Sequence, residues 1–215
     1  MGSTAGPAYI IETAKNHFSH PKTRAFKIDI IINNAAAATN NKLTDITPEE
    51  FNKSYTVNVL GPILLVQAAL PHLPHDRSGR IINISSVSSS LGFVGQTVYG
   101  GTKAALESMT RTWSRELGER ATVNALNPGP VATEMYGGTS EDFQMQLKPW
   151  IQNTPLQAAR EGVDKESVVK YAEKYGGRLA YDYEIAGVVG MLCSEESGWC
   201  TGSVVCANGG FKFSY

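Results

Sequence analysis

The residues that most directly suggest chemistry are a tyrosine and a lysine four positions apart, Tyr99 and Lys103. If this segment is helical, the two side chains lie on one face, a single turn apart. A nearby ammonium group stabilises a tyrosinate, so the phenol could release and regain a proton near neutral pH. Because the same pair is common on solvated helix surfaces, its meaning depends on the residues around it.

Hydroxyl and turn residues follow two short apolar runs on either side of this pair. The first run, 80–84, ends in Ser85 and Ser86, and Ser86 lies thirteen positions before Tyr99. The second run, 123–126, leads into Pro128 and Gly129. Such runs are typical of buried parallel strands, and open α/β sheets bind their ligands at the carboxyl ends of the strands. The pattern therefore predicts one site where both strands end.

Taken together, these residues resemble the short-chain dehydrogenase/reductase family. Several independent motifs carry the resemblance in the family's order, from about Lys27 to Gly210. They are Asn33-Asn34-Ala35-Ala36, Asn58, Ser86, Tyr99 with Lys103, and Pro128-Gly129 with Thr133. The resemblance implies an NAD(P)(H)-dependent oxidoreductase that interconverts a carbonyl and an alcohol on a small, polycyclic or acyl substrate.

The resemblance also assigns roles to the matching residues. Tyr99 would donate a proton to the carbonyl oxygen, which Ser86 would hold, while Lys103 would stabilise the tyrosinate and bind the nicotinamide ribose. Asn58 would kink its helix and order a water that connects Lys103 to solvent. The remaining predicted cofactor contacts are Asn34 and Ala35 near the adenosine ribose, and Pro128, Gly129, Val131 and Thr133 near the nicotinamide carboxamide.

One feature of the family is not found in the sequence before Asn33: a Gly-rich turn of the form Gly-x-x-x-Gly-x-Gly. In the family, the backbone N–H groups of this turn bind the cofactor's pyrophosphate. The sequence therefore leaves three hypotheses. The first is a carbonyl reductase that uses NADP or NAD, with NADP favoured. The second is a shortened homologue that serves as a non-catalytic binding subunit. The third is a shortened enzyme that catalyses a cofactor-free isomerisation, dehydration or cyclisation.

The alternation of apolar runs and helical periodicity predicts an α/β fold, a Rossmann-like doubly wound parallel sheet without its N-terminal strands. We expect one domain over 1–215, with strands at 28–32, 80–86, 122–127 and 202–206. Helices are predicted at 8–19, 48–73, 98–118 and 183–193, with a substrate lid from Gly137 onward. The strand at 28–32 is apolar on both faces, which predicts helices on both sides of it. It is also expected to form an exposed sheet edge.

The composition limits the possible partners. With a net charge of −1, the chain is not expected to bind nucleic acid, and no apolar run was expected to reach the length of a membrane span. The three cysteines lack the spacing of a metal site, so no metal is predicted and the thiols are expected to be reduced. We expect a cytoplasmic homodimer or homotetramer that acts on a small-molecule substrate and associates through the helices at 48–73 and 98–118.

Overall fold

Helices and strands alternate through most of the chain in the computed structural model, which describes residues 2–213. Met1, Ser214 and Tyr215, which belong to the predicted domain, lie outside the described residues. The elements are α1 (Gly6–Phe18), β1 (Ile30–Asn33), α2 (Pro48–Tyr55), α3 (Gly61–Ala69), β2 (Gly79–Ile84), α4 (Thr97–Glu116), β3 (Ala121–Leu126), α5 (Glu134–Gly137), α6 (Glu141–Gln152), α7 (Glu166–Tyr175), α8 (Asp182–Cys193) and β4 (Val204–Val205).

The four strands form one parallel sheet in the order β1-β2-β3-β4. Ile31 is paired with Ile81, and Ile81 with Val123, so the central strands are in register across their apolar residues. The predicted α/β class and the adjacency of the strands at 80–86 and 122–127 are confirmed. The last strand is shorter than predicted, because only Val204 and Val205 extend the ladder.

Helices cover both faces of the sheet because successive strand residues point to opposite sides. Ile81 is fully buried in a cluster that includes Ile11 of α1 and Val66 of α3. Its neighbour Ile82 is fully buried on the other face, against Leu192 of α8. This two-sided cover explains why β2 and β3 read as nearly continuous apolar runs.

The first strand differs from its prediction in its bounds, Ile30–Asn33 instead of 28–32, and in how its faces are covered. Ile31 is buried, but Ile30 and Ile32 are 47% and 46% exposed. The reason is that α1 packs beside α3 on the face that Ile31 occupies, while the hydrophobic clusters found among residues 2–213 include neither Ile30 nor Ile32. Within the described residues β1 pairs with β2 alone and lies at the edge of this part of the sheet.

The predicted helix at 48–73 is continuous but not uniform. It begins with a capping box in which Thr47 and Glu50 satisfy each other's backbone N–H groups, followed by Pro48. A five-residue π-helical turn, Thr56–Leu60, then separates α2 from α3. Such turns are commonly found at functional sites, and this one contains Asn58. The kink predicted at Asn58 therefore takes the form of a π turn.

The run Pro48–His72 also corrects the expectation about membrane spans. It is 25 residues long, and its most apolar 18-residue window has a mean hydropathy of 1.2, so it is long and apolar enough to cross a membrane by length and composition alone. A third of its most apolar window is buried in the fold. Val66 and Ala69 of α3 lie in the core beside Ile81, as in the core helix of an α/β sheet. The length and hydropathy of this run are therefore weak evidence for a membrane span.

Three helices lie between β3 and α8, and the lid predicted from Gly137 onward contains the second and the third of them. The first, α5, is capped by Thr133, whose hydroxyl accepts a hydrogen bond from the Tyr136 backbone N–H. The second, α6, packs Phe143, Leu147 and Ile151 against the loop that follows Ser86. The third, α7, is joined to α6 by contacts that include a Lys174–Glu141 ion pair.

Candidate active site

The carboxyl ends of β2 and β3 bring the predicted catalytic loop and the Pro128-Gly129 turn together. Ser86 follows β2 and begins a short 3-10 turn, Val87–Ser89, with its hydroxyl oxygen accepting a hydrogen bond from the Ser88 backbone N–H at 3.1 Å. The next N–H in the chain, that of Val87, donates to the Pro128 carbonyl at 3.0 Å. The two loops are thus held at one edge of the sheet, as the sequence predicts.

Helix α4 brings Tyr99 and Lys103 to this edge. Gly100 allows the close approach, because a Cβ atom there would lie 2.6 Å from the Ser88 carbonyl oxygen. Tyr99 is hydrogen-bonded to Ser86 through its side chain. Lys103 lies one turn further on, with its Nζ 5.5 Å from the centre of the Tyr99 ring and 2.7 Å from the Ile84 carbonyl oxygen, to which it donates. Ser86, Tyr99 and Lys103 therefore form one cluster.

Burial controls the protonation of this cluster. Lys103 is only 3% exposed, and the loss of hydration lowers the pKa of its ammonium group from 10.5 to about 8. Burial raises the pKa of Tyr99, and the hydrogen bond with Ser86 opposes this rise only in part. The expectation that Lys103 would bring the Tyr99 pKa near neutrality is not met. The reason is that the desolvation of the phenol outweighs the other effects on its pKa.

The predicted relay residue Asn58 is 1% exposed, and its side chain cross-links two elements. Its Oδ1 accepts from the Ala37 N–H at 2.7 Å, and its Nδ2 donates to the Ala37 carbonyl at 2.8 Å. The same Nδ2 donates to Thr102 Oγ1 at 3.0 Å, and Thr102 in turn donates to the Tyr99 carbonyl. Asn58 thus connects the loop after β1 to the turn of α4 that carries Tyr99 and Lys103.

The predicted cofactor contacts lie at the same edge but are less enclosed. Asn34 and Ala35 follow β1 directly and are exposed, as is Thr133 at the start of α5. Val131 forms an isolated parallel bridge with Ala180, which anchors the segment after the Pro128-Gly129 turn. The described contacts of these residues are with protein backbone, so the structure gives their positions and not their ligands.

The residues at this edge fit the nicotinamide half of a dinucleotide. The Lys103 ammonium, the Tyr99 and Ser86 hydroxyls and the exposed Thr133 side chain all stand where β2 and β3 end, which is where open α/β sheets bind such cofactors. A ribose presents hydroxyl groups, and these donors and acceptors suit it. Among residues 2–213, no group of three or more histidine, cysteine, aspartate or glutamate side chains could hold a metal ion.

A separate cavity of about 220 Å³ is bordered by the Gly129-Pro130 segment. Its wall includes Gly129, Gln157, Asn208 and the ion pair of Arg178 with Glu184. None of Ser86, Tyr99 and Lys103 lines it, so it is distinct from the catalytic cluster.

Comparison with known proteins identifies the family. The family model described as enoyl-(acyl carrier protein) reductase matches residues 11–212. The chain is 56% identical to an L-xylulose reductase of Aspergillus niger over 220 residues, which covers 95% of this chain and 74% of the relative. The chain belongs to the short-chain dehydrogenase/reductase family. It is also 49% identical to an L-xylo-3-hexulose reductase of Hypocrea jecorina, covering 99% of this chain and 76% of that protein.

Solved structures of the short-chain dehydrogenase/reductase family share the fold. A family member from Brucella melitensis described as a glucose/ribitol dehydrogenase superposes with a TM-score of 0.78 at 26% identity, covering 99% of this chain and 74% of that one. An angucycline C-6 ketoreductase solved with bound NADP has the same TM-score at 28% identity, covering 98% of this chain and 72% of that one. The protein is therefore a reductase of this family, and its reaction class is the interconversion of a carbonyl and an alcohol.

Sequence reasoning did not identify three residues that support the cluster: Ser85, Thr102 and Glu107. Thr102 is fully buried and links Asn58 to α4. Ser85 is 3% exposed and donates to Glu107 at 2.7 Å. A signal was present, because Ser85 is a polar residue at the end of an apolar strand and Glu107 lies one helical turn beyond Lys103.

Proposed function

We propose that this protein is an NADPH-dependent carbonyl reductase that reduces a short open-chain ketose to the corresponding polyol. The observation that carries the proposal is the partly buried cluster in which Tyr99 is hydrogen-bonded to Ser86 with Lys103 one turn away. The substrate class rests on the relatives, because the L-xylulose reductase and the L-xylo-3-hexulose reductase are both named for ketoses.

The protonation states of the cluster suit the direction of reduction. Reduction of a ketone requires a proton for the carbonyl oxygen, and the raised pKa keeps Tyr99 as the neutral phenol that can donate it. Ser86 is placed to donate a hydrogen bond to the same oxygen, which fixes the carbonyl in front of the phenol. Burial lowers the pKa of Lys103 to about 8, so its ammonium form still predominates at neutral pH, and this positive charge favours the tyrosinate that remains.

The nicotinamide would supply the hydride, and the chain's own residues would orient it. Lys103 and Tyr99 would bind the nicotinamide ribose, and the Pro128-Gly129 turn with Val131 and Thr133 would contact the carboxamide. Asn34 and Ala35 would lie along the adenosine ribose. We favour NADP over NAD because the ketoreductase with the same fold holds NADP and another family structure holds NADPH.

Two further expectations belong to this proposal. We infer a homodimer or homotetramer, since the helix predicted at 48–73 presents the apolar side chains of Phe51 and Leu60, which are 44% and 37% exposed. We also infer a cytoplasmic location, which agrees with three cysteines that form no disulfide within residues 2–213.

The proposal is tested with the purified 215-residue protein in two assays. NADPH oxidation is followed by absorbance with L-xylulose, and separately with a simple ketone of similar length that lacks hydroxyl groups. NADPH binding is followed by fluorescence titration. We expect binding and a clear preference for L-xylulose in wild type, and no turnover in Tyr99→Phe. A protein that binds no nicotinamide but shows a Tyr99-dependent activity would replace the reductase with the cofactor-free enzyme. The absence of both binding and activity would favour the non-catalytic subunit.

A further inference from the structure

We propose that Ser85 and Glu107 form a positioning pair that sets how strand β2 lies against helix α4, and thereby aligns Ser86 with Tyr99 and Lys103. This inference rests on the proposed reductase function. It concerns residues that do not touch the reacting atoms but hold those that do.

The first observation is the position of Ser85 in the chain. Its two neighbours are Ile84, whose carbonyl accepts from Lys103, and Ser86, whose hydroxyl is bonded to Tyr99. The Ser85 backbone N–H donates to the Leu126 carbonyl at 2.7 Å, which holds this residue to β3. Any movement of Ser85 away from α4 therefore moves both groups that meet the catalytic helix.

The second observation is what the Ser85 side chain contacts. Its hydroxyl lies 2.7 Å from Glu107 Oε1 and 3.3 Å from the Lys103 carbonyl oxygen, both on α4. The 2.7 Å contact has the length of a hydrogen bond from a hydroxyl to a carboxylate, which is about twice as strong as a bond between neutral groups. Ser85 thus joins the end of β2 to the turn of α4 that begins at Lys103.

The third observation is that Glu107 has no other described ionic role. It is half-buried on α4, and none of the ion pairs found among residues 2–213 includes it. A partly buried carboxylate without a cation stabilises a fold little by itself, and its described partner is the Ser85 hydroxyl. The pair therefore contributes orientation more than charge.

The geometry separates the pair from the helix contacts that Tyr99 and Lys103 already make. Lys103 reaches Ile84 with a long flexible side chain, which alone tolerates a shift of the strand. The Ser85–Glu107 bond has the same length of 2.7 Å, but it joins shorter side chains and lies one helical turn further along α4. Together the two bonds hold the strand end at two points, which resists rotation as well as translation.

The test uses Ser85→Ala, Glu107→Ala and Glu107→Gln, with Glu116→Ala as the control on the same helix. Glu116 is exposed at the end of α4. If the bond positions the cluster, Ser85→Ala and Glu107→Ala lower kcat about 10- to 100-fold with KM for L-xylulose within about threefold, since misplacement by about 1 Å has an effect of that size. Glu107→Gln retains an acceptor oxygen and should keep kcat within about threefold of wild type. Glu116→Ala should match wild type.

A second readout does not depend on activity. The reactivity of the Lys103 amine toward acetic anhydride, followed by mass spectrometry, should rise several-fold in Ser85→Ala and Glu107→Ala, because the nearly inaccessible amine is then held less firmly to Ile84. If wild type shows no reductase activity, the proposed function fails, and this labelling alone decides the positioning role. Unchanged labelling in both alanine variants would overturn the pair, and so would an unchanged kcat in an active enzyme. A Glu107→Gln variant as impaired as Glu107→Ala would also overturn it, because it would show that charge and not the bond matters.

Discussion

Replacing the buried lysine should make the protein more stable while it removes catalysis. Burial lowers the Lys103 pKa from 10.5 to about 8, so at neutral pH the fold holds an ammonium group in an environment that disfavours it. At about 1.4 kcal/mol per pKa unit, this charge destabilises the folded state by about 3 kcal/mol. Lys103→Met keeps the aliphatic stem and removes the charge. It also removes the hydrogen bond to the Ile84 carbonyl, which contributes about 1 kcal/mol.

The expected net effect at pH 7 is a gain of about 2 kcal/mol in the free energy of unfolding. For a chain of this size the gain corresponds to a rise in Tm of about 4–8 °C. The sign depends on pH. Because the pKa of Lys103 is lower in the folded state, wild type gains stability as pH rises from about 8 to 10.5, and Lys103→Met does not. Above about pH 10 the variant should be slightly less stable than wild type, since only the lost hydrogen bond then separates them.

The measurement is thermal unfolding of both proteins from pH 7 to pH 10.5, with Lys53→Met as the matched control. Lys53 is exposed on α2, so its replacement should give a Tm difference that does not change across this range. Reductase activity should be lost in Lys103→Met and retained in Lys53→Met. A Lys103→Met protein that is less stable than wild type at pH 7, with a difference that stays constant to pH 10.5, would refute the desolvation argument.

Three other outcomes are expected. Tyr99→Phe should abolish reductase activity and leave Tm within about 2 °C of wild type. The exposed control Tyr183→Phe should retain reductase activity. Full activity in Tyr99→Phe would show that Tyr99 is not the proton donor. Asn58→Ala should lower the free energy of unfolding by about 2–4 kcal/mol in urea, because three hydrogen bonds are lost, and should lower kcat less than Tyr99→Phe does. The exposed Asn52→Ala should do neither. Light scattering at micromolar concentration should give the mass of a dimer or tetramer, and a monomer mass would reject the inferred assembly.

The sequence by itself determined the class of fold and which residues meet at the ends of β2 and β3. Apolar runs such as 80–84 are buried on both faces, and this can be read from composition because a strand between two helix layers needs no polar side. The spacing of Tyr99 and Lys103 is equally local, since a helix places residues four apart on one face whatever surrounds it. These features depend on neighbours in the chain, and the structure confirms them.

Only the tertiary structure decided how burial and hydrogen bonding change the pKa values of Tyr99 and Lys103. The Tyr99 pKa rises because of how completely the assembled loops bury the phenol, and no spacing in the sequence measures burial. The partners of Asn58 and Ser85 come from segments that are distant in the chain, and many polar residues could have met them. Only the tertiary structure decides how β1 is packed, because the apolar pattern Ile30-Ile31-Ile32 is compatible with a helix on either face or on both. Which face is covered depends on where α1 packs, and that is a property of the whole fold.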